Sequence, residues 1–196
     1  MFVTGLVLAA GRSRRLGRPK QLLPYRGATL LDATLRTARA CRFHQLLVTV
    51  PGAAEAIEDI VDLRGCTVVH TPDSGSGCSA SVKAALPEVD PLAAGIVLLL
   101  GDQPGVRPWT VRDLVARGAM ENIGVCRYAD GLGHPLWLGR SVFDDLAVLR
   151  GDKAVWGLLD RHPDSVFEVP VDDRIPLDVD TWDEYRALLD QDRDAS

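Results

Sequence analysis

Short segments that are almost entirely apolar constrain the fold of this 196-residue chain more than any other feature. Val3–Ala9 and Gly95–Leu100 are continuous apolar runs that end at glycine, which is typical of strands buried on both faces. Around them we predict strands at 46–50 and 67–70, and helices at 29–40, 54–61, 79–86 and 110–117. This alternating order predicts an α/β fold of three layers, α/β/α, with a mostly parallel, doubly wound sheet in the middle.

After Ala119 the pattern is less regular. We predict strands at 123–127 and 136–138 on either side of a glycine-rich turn at 131–135, and helices at 141–149 and 153–160. A last helix is predicted to begin at Thr181, because Glu184 three residues later completes a capping box. We therefore expect one domain over residues 1–196, in which 119–190 form one wall of a cleft.

The charge balance limits the possible partners. The chain has 22 lysines and arginines against 27 acidic residues, a net charge of -5, which argues against nucleic acid and anionic membranes as partners. Its apolar runs are too short to span a bilayer. The N-terminus lacks the pattern of a signal peptide, and the four cysteines are widely spaced. We expect a cytoplasmic protein with reduced thiols.

The loop after the first strand is strongly basic. Residues 9–11 are small and let the backbone approach a ligand, and five cations follow without an acid: Arg12, Arg14, Arg15, Arg18 and Lys20. Such a loop at the end of a buried strand suits a polyphosphate. Neither Gly-x-Gly-x-x-Gly nor Gly-x-x-x-x-Gly-Lys-Ser/Thr is present. The alternative is a solvated basic loop without a ligand.

The loop sequence Leu-Ala-Ala-Gly-x-Ser-x-Arg-Leu-Gly-x-x-Lys resembles the signature of the molybdenum-cofactor nucleotidyltransferases. The resemblance implies the glycosyltransferase-A-like (nucleotide-diphospho-sugar transferase) fold, with residues 1–118 as the nucleotide-binding half and 119–190 as the acceptor-binding half. It also implies that the nucleotide contacts Leu8, Ala9, Ala10 and Gly11. Arg15 and Lys20 would be catalytic residues that bind the phosphates and neutralise developing charge.

Two acidic motifs extend the resemblance. Gly-Asp-Gln-Pro follows the strand at 95–100, and its Asp102 is similar to a catalytic aspartate that binds Mg²⁺. A carboxylate together with substrate phosphates commonly holds this ion, although an aspartate here could also be a turn residue. Near the C-terminus, 177–184 resembles an Asp-x-Asp-Thr element. We favour Asp178 as the second metal contact and Asp180 as support for the following helix.

Three further segments resemble substrate-binding elements of the family. Gly77, Ser79 and Ser81 match a Gly-x-Ser-x-Ser nucleotide-binding element, or they simply begin a helix after a flexible turn. His134 and Pro135 match a Gly-His-Pro turn on the acceptor side, although a lone histidine is often structural. Asp152 and Lys153 match the start of a motif Gly-Asp-Lys-Gly-Ala-Arg, in which this chain replaces the final arginine by Trp156. The lost arginine leaves the acceptor in doubt.

The implied activity is transfer of CMP from CTP to the phosphate of molybdopterin, with Mg²⁺ as cofactor and release of pyrophosphate. The form Ala9-Ala10-Gly11 points to the cytidylyl branch of the family. One alternative is a guanylyl- or sugar-phosphate nucleotidyltransferase on the same fold. Another is a non-catalytic accessory protein that delivers the cofactor to a molybdenum hydroxylase. A molybdenum hydroxylase is also a possible recipient of the product if the chain is an enzyme.

Overall fold

The computed structural model of the protein describes residues 1–72, 77–119, 121–151 and 154–194. The strands are β1 (Val3–Leu8), β2 (Pro24–Tyr25), β3 (Ala28–Thr29), β4 (Gln45–Pro51), β5 (Thr67–Thr71), β6 (Gly95–Leu100), β7 (Ile123–Tyr128), β8 (Gly131–Gly139) and β9 (Val166–Pro170). The α-helices are α1 (Leu30–Ala40), α2 (Glu55–Ile60), α3 (Cys78–Ala85), α4 (Pro108–Gly118), α5 (Phe143–Val148), α6 (Ala154–Arg161) and α7 (Trp182–Asp194). In this part of the chain, none of the helices has the length and apolar character that crossing a membrane requires.

Seven strands form one sheet in the order β5-β4-β1-β6-β8-β7-β9, and β2 pairs with β3 in a separate small hairpin. Strand β1 is parallel to β4 and β6, and β4 is parallel to β5. Strand β8 runs antiparallel to both of its neighbours, β6 and β7. The prediction of a mostly parallel α/β sheet is confirmed.

Side chains on successive strand positions point to opposite faces, and each face carries its own buried cluster. Leu6 belongs to the cluster covered by α3, α5 and α6, whereas Val7 belongs to the one that includes residues of α1, α2 and α4. Both residues are fully buried. The strand pattern therefore produces the three layers predicted from the apolar runs.

Two helices begin earlier than predicted. The first of them, α4, begins at Pro108 rather than Thr110. Proline suits the first turn of a helix, because an N–H at that position would have no acceptor within the helix. The other, α3, begins at Cys78, and its N-cap is Gly77, whereas the prediction had the helix begin at Ser79 with that serine as the cap. The φ of Gly77 is +80°, a backbone conformation that glycine adopts without strain.

The prediction of a glycine-rich turn at 131–135 is wrong. These residues begin strand β8, and Gly133 serves close packing instead: a Cβ atom there would lie 3.0 Å from the Tyr128 ring. Strand β9 was also missed. It lies at the edge of the sheet, and most of its side chains are at least partly exposed, so it lacks a continuous apolar run.

Candidate active site

The ends of β1 and β6 meet at the carboxyl edge of the sheet, where ligands bind in folds of this type. The N–H of Gly101 donates to the carbonyl oxygen of Leu8 at 2.9 Å. A Cβ atom at Gly101 would lie 2.9 Å from the Cβ of Ala9 and 3.0 Å from the Leu8 oxygen. Only glycine permits this approach, which brings Asp102 next to the basic loop.

The basic loop is shaped by internal hydrogen bonds. The Gln21 side chain is buried, and its amide nitrogen donates to the carbonyl oxygens of Ala9 at 2.5 Å and Gly11 at 3.1 Å. The N–H of Lys20 donates to the Ser13 hydroxyl at 2.9 Å. Gln21 was not among the residues predicted for the site. Its position directly after the loop, in front of two leucines, was the available signal.

Lys20 lies between two carboxylates. Its ammonium donates to Asp102 Oδ2 and, at 2.6 Å, to Asp180 Oδ1. The other oxygen of Asp180 accepts from Arg15 at 3.1 Å. Lys20 and Asp102 are largely buried, with side chains 12% and 14% exposed, while Asp180 is 44% exposed. Three distant segments of the chain thus meet in one charged cluster.

Lys20 and Asp180 are held in their charged forms. Burial works to lower the pKa of Lys20, but Asp102 and Asp180 outweigh it, so that the pKa of Lys20 is raised. Burial likewise works to raise the pKa of Asp180, but Lys20 and Arg15 outweigh it, and the pKa of Asp180 is lowered. At neutral pH Lys20 and Asp180 therefore form an ion pair rather than a proton donor and acceptor.

Asp178 lies outside this network. Partial burial is the main cause that raises the pKa of Asp178 to about 6, and the negative charge of Asp102 is the second. The residue nevertheless keeps an exposed surface and does not line the cleft described below. Asp178 as second metal contact remains a prediction, and the structure gives Asp180 a larger part than helix support alone.

The carboxylate of Asp180 faces the cleft, and only its backbone serves the helix. The N–H of Asp180 donates to Glu184 Oε2 at 2.9 Å. The N–H of Thr181 donates to the same oxygen at 2.7 Å, and the N–H of Glu184 donates to the Thr181 hydroxyl at 3.3 Å. The predicted capping box is confirmed. It fixes the direction in which the preceding aspartate points.

These groups line a cleft of about 410 Å³. The lining residues are Leu8, Ala9, Ala10, Gly11, Arg12, Ser13, Arg14, Arg15, Lys20, Gln21, Gly77, Cys78, Ser81, Leu100, Asp102 and Asp180. The cleft thus brings together most of the residues predicted for nucleotide binding and catalysis. Ser79 is the exception: it is buried and its N–H donates to the carbonyl oxygen of Gly151 at 3.4 Å.

The residues predicted for the acceptor are placed differently. His134 lies on β8 and is 9% exposed, and its ring meets that of Trp156 edge to face at 5.3 Å. Burial lowers the pKa of His134 to about 4, so the imidazole is neutral at pH 7. Neither His134 nor Pro135 lines the 410 Å³ cleft. The predictions for Asp152 and Lys153 lie outside the described residues.

The donor set suits a hard cation that binds together with a phosphate ligand. Within the described ranges, no group of three or more histidine, cysteine or acidic side chains could hold a metal ion. Mg²⁺, however, usually takes only one or two carboxylates and completes its coordination with substrate phosphates and water. Asp102 and Asp180 offer carboxylate oxygens beside a basic loop, which fits that mode of binding.

Comparison with known sequences gives consistent relatives. The family model described as the MobA-like NTP transferase domain matches residues 5–166. Nicotine blue oxidoreductase of Paenarthrobacter nicotinovorans is 30% identical, over 95% of this chain and 96% of its own. The purine catabolism protein PucB of Bacillus subtilis is 28% identical over 94% of each chain. Molybdenum cofactor cytidylyltransferase of Escherichia coli is 34% identical over 50% of each.

Solved structures extend the comparison. Rv0371c of Mycobacterium tuberculosis is 55% identical with a TM-score of 0.92, over 97% of this chain and 98% of its own. A structure of the same protein with manganese is 52% identical over 97% and 99% of the two chains, with a TM-score of 0.88. The nucleotidyl transferase Mth528 of Methanothermobacter is 21% identical over 100% and 99%, with a TM-score of 0.86. That likeness confirms the fold that the loop resemblance implied.

Proposed function

The chain belongs to the family of MobA-like NTP transferase domains, and from this premise we propose that it transfers CMP from CTP to the phosphate of molybdopterin, releasing pyrophosphate. The observation that carries the proposal is the position of Lys20. Its ammonium joins the basic loop to Asp102 and Asp180 at the edge of one cleft. A triphosphate in that cleft would meet a lysine, several arginines and a metal-binding carboxylate together.

The transfer needs charge neutralisation more than proton transfer. An oxygen of the acceptor phosphate attacks the α-phosphorus of the nucleotide, a new P–O–P linkage forms, and the bond to the β-phosphate oxygen breaks. The attacking oxygen is already an anion at neutral pH. Lys20 and Arg15 would therefore act by positioning the phosphates and by balancing the charge that moves to the leaving pyrophosphate.

We propose Mg²⁺ as the cofactor, held by Asp102 together with Asp178 or Asp180. When bound with the nucleotide, the ion supplies positive charge to the phosphate oxygens. The carboxylates of Asp102 and Asp180 already share one cation, Lys20, which supports their ability to share another. The manganese complex of Rv0371c is consistent with a divalent cation in this fold.

The choice of CTP and molybdopterin is supported by two observations. The loop has alanine at position 10, as in the cytidylyl branch that it resembles. One relative over half of this chain is named a molybdenum cofactor cytidylyltransferase. Another relative is named an oxidoreductase, but the loop of this chain lacks the Gly-x-Gly-x-x-Gly pattern of dinucleotide binding, so we propose transfer rather than redox chemistry.

The test is to incubate the protein with Mg²⁺, molybdopterin and each of the four nucleoside triphosphates in turn. We expect pyrophosphate release with CTP, and a product that is heavier than molybdopterin by one CMP unit in mass spectrometry. Equal or faster release with GTP would replace the proposal by guanylyl transfer. Release with sugar phosphates but not with molybdopterin would change the acceptor. Tight binding of molybdopterin without any release would indicate the delivery role to a molybdenum hydroxylase.

A further inference from the structure

Gln103 directly follows Asp102 in the chain, but its side chain turns into the protein. The residue is 1% exposed and is not among the residues that line the cleft. Its amide nitrogen donates to the carbonyl oxygen of Pro176 at 2.8 Å, across 73 residues of sequence. One side chain therefore joins the turn after β6 to the segment that precedes α7. A ligand in the cleft would not touch Gln103, so the residue can affect the site only through this segment.

The orientation of the Gln103 amide follows from its partner. A carbonyl oxygen can only accept a hydrogen bond, so the NH2 group must face Pro176. The other amide atom, Oε1, is buried and has no hydrogen-bond partner among the residues that the structure describes. A buried acceptor without a partner destabilises a fold, and an apolar side chain of the same length would avoid that loss. The glutamine is therefore explained by its bond to Pro176 rather than by core packing.

The segment that receives this bond lacks regular structure. Residues 174–180 form neither helix nor strand, so no ladder of backbone hydrogen bonds fixes their course. Individual contacts do so instead. The N–H of Ile175 donates to Asp130 Oδ1 at 2.8 Å, and Val179 is fully buried in a cluster that also contains Leu16 of the basic loop. The bond from Gln103 lies between these two contacts and four residues before Asp180.

The turn after Gln103 also packs closely against Pro176. A Cβ atom on Gly105 would lie 3.0 Å from the Cβ of Pro176, which is closer than an ordinary contact between carbon atoms. An alanine at this position would push the proline away by a few tenths of an ångström. The glycine therefore permits the approach, and the Gln103 amide holds the segment there.

We infer that Gln103 is a positioning residue for the divalent cation, because its bond to Pro176 places the carboxylate of Asp180 beside that of Asp102. The Lys20 ammonium contacts both carboxylates, so they already lie within reach of one cation. The inference rests on the proposed function, since it takes Asp102 and Asp180 as the metal ligands. It adds a residue that touches neither metal nor nucleotide and that determines whether the two carboxylates bind one ion together.

The test measures two ligands separately in the wild type and in Gln103→Met, which keeps the length of the side chain and removes the amide. Mn²⁺ is titrated without nucleotide, by electron paramagnetic resonance of the free ion. We expect Mn²⁺ binding to weaken about tenfold, the effect typical of losing a residue that orients metal ligands. Amide hydrogen exchange in a peptide covering 174–181 should become faster, because the segment loses a restraint.

CTP is titrated by calorimetry in the presence of EDTA. Its affinity should stay within about twofold of the wild type, because Gln21 and not Gln103 holds the loop that would bind the phosphates. The two ligands thus separate a change in the position of the carboxylates from a general loss of structure, which would weaken both.

Gln45→Met is the matched control. The Gln45 amide donates to the carbonyl oxygen of Glu88 at 2.7 Å, and the residue lies at the beginning of β4, outside the lining of the cleft. Its loss should change neither affinity by more than about twofold. Gly105→Ala is a second variant, which disturbs the contact with Pro176 and leaves the Gln103 amide in place. We expect it to weaken Mn²⁺ binding and to leave CTP binding unchanged.

Neither titration requires turnover. If the wild type transfers no nucleotide, the proposed function fails, but a selective loss of Mn²⁺ affinity in Gln103→Met would still support the positioning role. Unchanged Mn²⁺ affinity in both Gln103→Met and Gly105→Ala would overturn the inference. Equal losses of Mn²⁺ and CTP affinity, or a wild type that binds no Mn²⁺, would overturn it as well.

Discussion

Replacing Lys20 by methionine tests the central feature of the site. Methionine keeps much of the apolar stem, which is largely buried, and removes only the ammonium that lies between Asp102 and Asp180. The substitution therefore separates the charge of Lys20 from its packing. It also leaves the hydrogen bonds of Gln21, and so the course of the loop, in place.

The magnitude follows from the role of the charge. Loss of one preorganised donor to a developing anion costs about 10²–10³ in rate, or roughly 3–4 kcal/mol. We expect the kcat for pyrophosphate release to fall by that factor. The KM for CTP should rise less, because several arginines line the same cleft.

The same substitution should tighten metal binding in the absence of nucleotide. The Lys20 ammonium lies 2.6 Å from Asp180 Oδ1 and also contacts Asp102. Without it, both carboxylates become available to a divalent cation. Opposite unit charges about 4 Å apart near a protein surface interact by roughly 4 kcal/mol, so removing the competing ammonium can strengthen Mn²⁺ binding by at least about tenfold. Titration of the free Mn²⁺ signal by electron paramagnetic resonance measures this directly.

Lys83→Met is the control, since it removes the same kind of charge from α3 outside the lining of the cleft. It should change neither kcat nor Mn²⁺ affinity by more than about twofold, the scatter expected for a surface charge. A Lys20→Met protein that turns over within threefold of the wild type at saturation would refute the role of the ammonium. Weaker Mn²⁺ binding in that variant would refute its competition with metal.

Three further predictions follow from the same geometry. Asp102→Asn should abolish Mg²⁺-dependent pyrophosphate release while the far-ultraviolet circular dichroism stays that of the wild type; retained turnover would remove Asp102 from the metal site. The pKa of Asp178 is raised in the fold, so its ionisation opposes folding. Asp178→Asn should therefore have a Tm equal to that of the wild type near pH 4 and a higher Tm above about pH 6, and a Tm difference independent of pH would contradict this. Gly101→Ala should lower the free energy of unfolding by about 1–3 kcal/mol, because the new Cβ meets Ala9 and the Leu8 carbonyl oxygen; an unchanged urea midpoint would show that the two strands can move apart.

The parts of the fold that the sequence predicted are those with strong local patterns. Buried strands such as β1 and β6 have continuous apolar runs, and α7 has its capping box at Thr181. Gly133 shows where local patterns mislead, because a glycine needed for packing against Tyr128 has the same appearance in sequence as a glycine in a turn. Strand β9 has no apolar run, and its pairing with β7 is a property of the assembled sheet.

The residues of the site divide in the same way, into those with a local sequence signal and those without one. Lys20 and Asp102 were predicted because each lies in a motif that resembles one of the family and that follows a recognisable strand. Asp178 was favoured over Asp180 as the second metal contact, although the two residues are equivalent in an extended segment. What distinguishes them is the cap at Thr181 and Glu184, which directs the Asp180 carboxylate to Arg15 and Lys20. The contact between the rings of His134 and Trp156 is likewise one that no spacing in the sequence reveals.

The reversed direction of β8 has a consequence for how this scaffold can change over evolution. Because β8 runs against β6, it is the beginning of β8, with His134, that reaches the edge where β1 and β6 end. The cleft itself is lined by residues between 8 and 21 and between 77 and 102, together with Asp180. Substitutions at the beginning of β8 can therefore change this edge of the sheet while the loop that carries Lys20 stays intact.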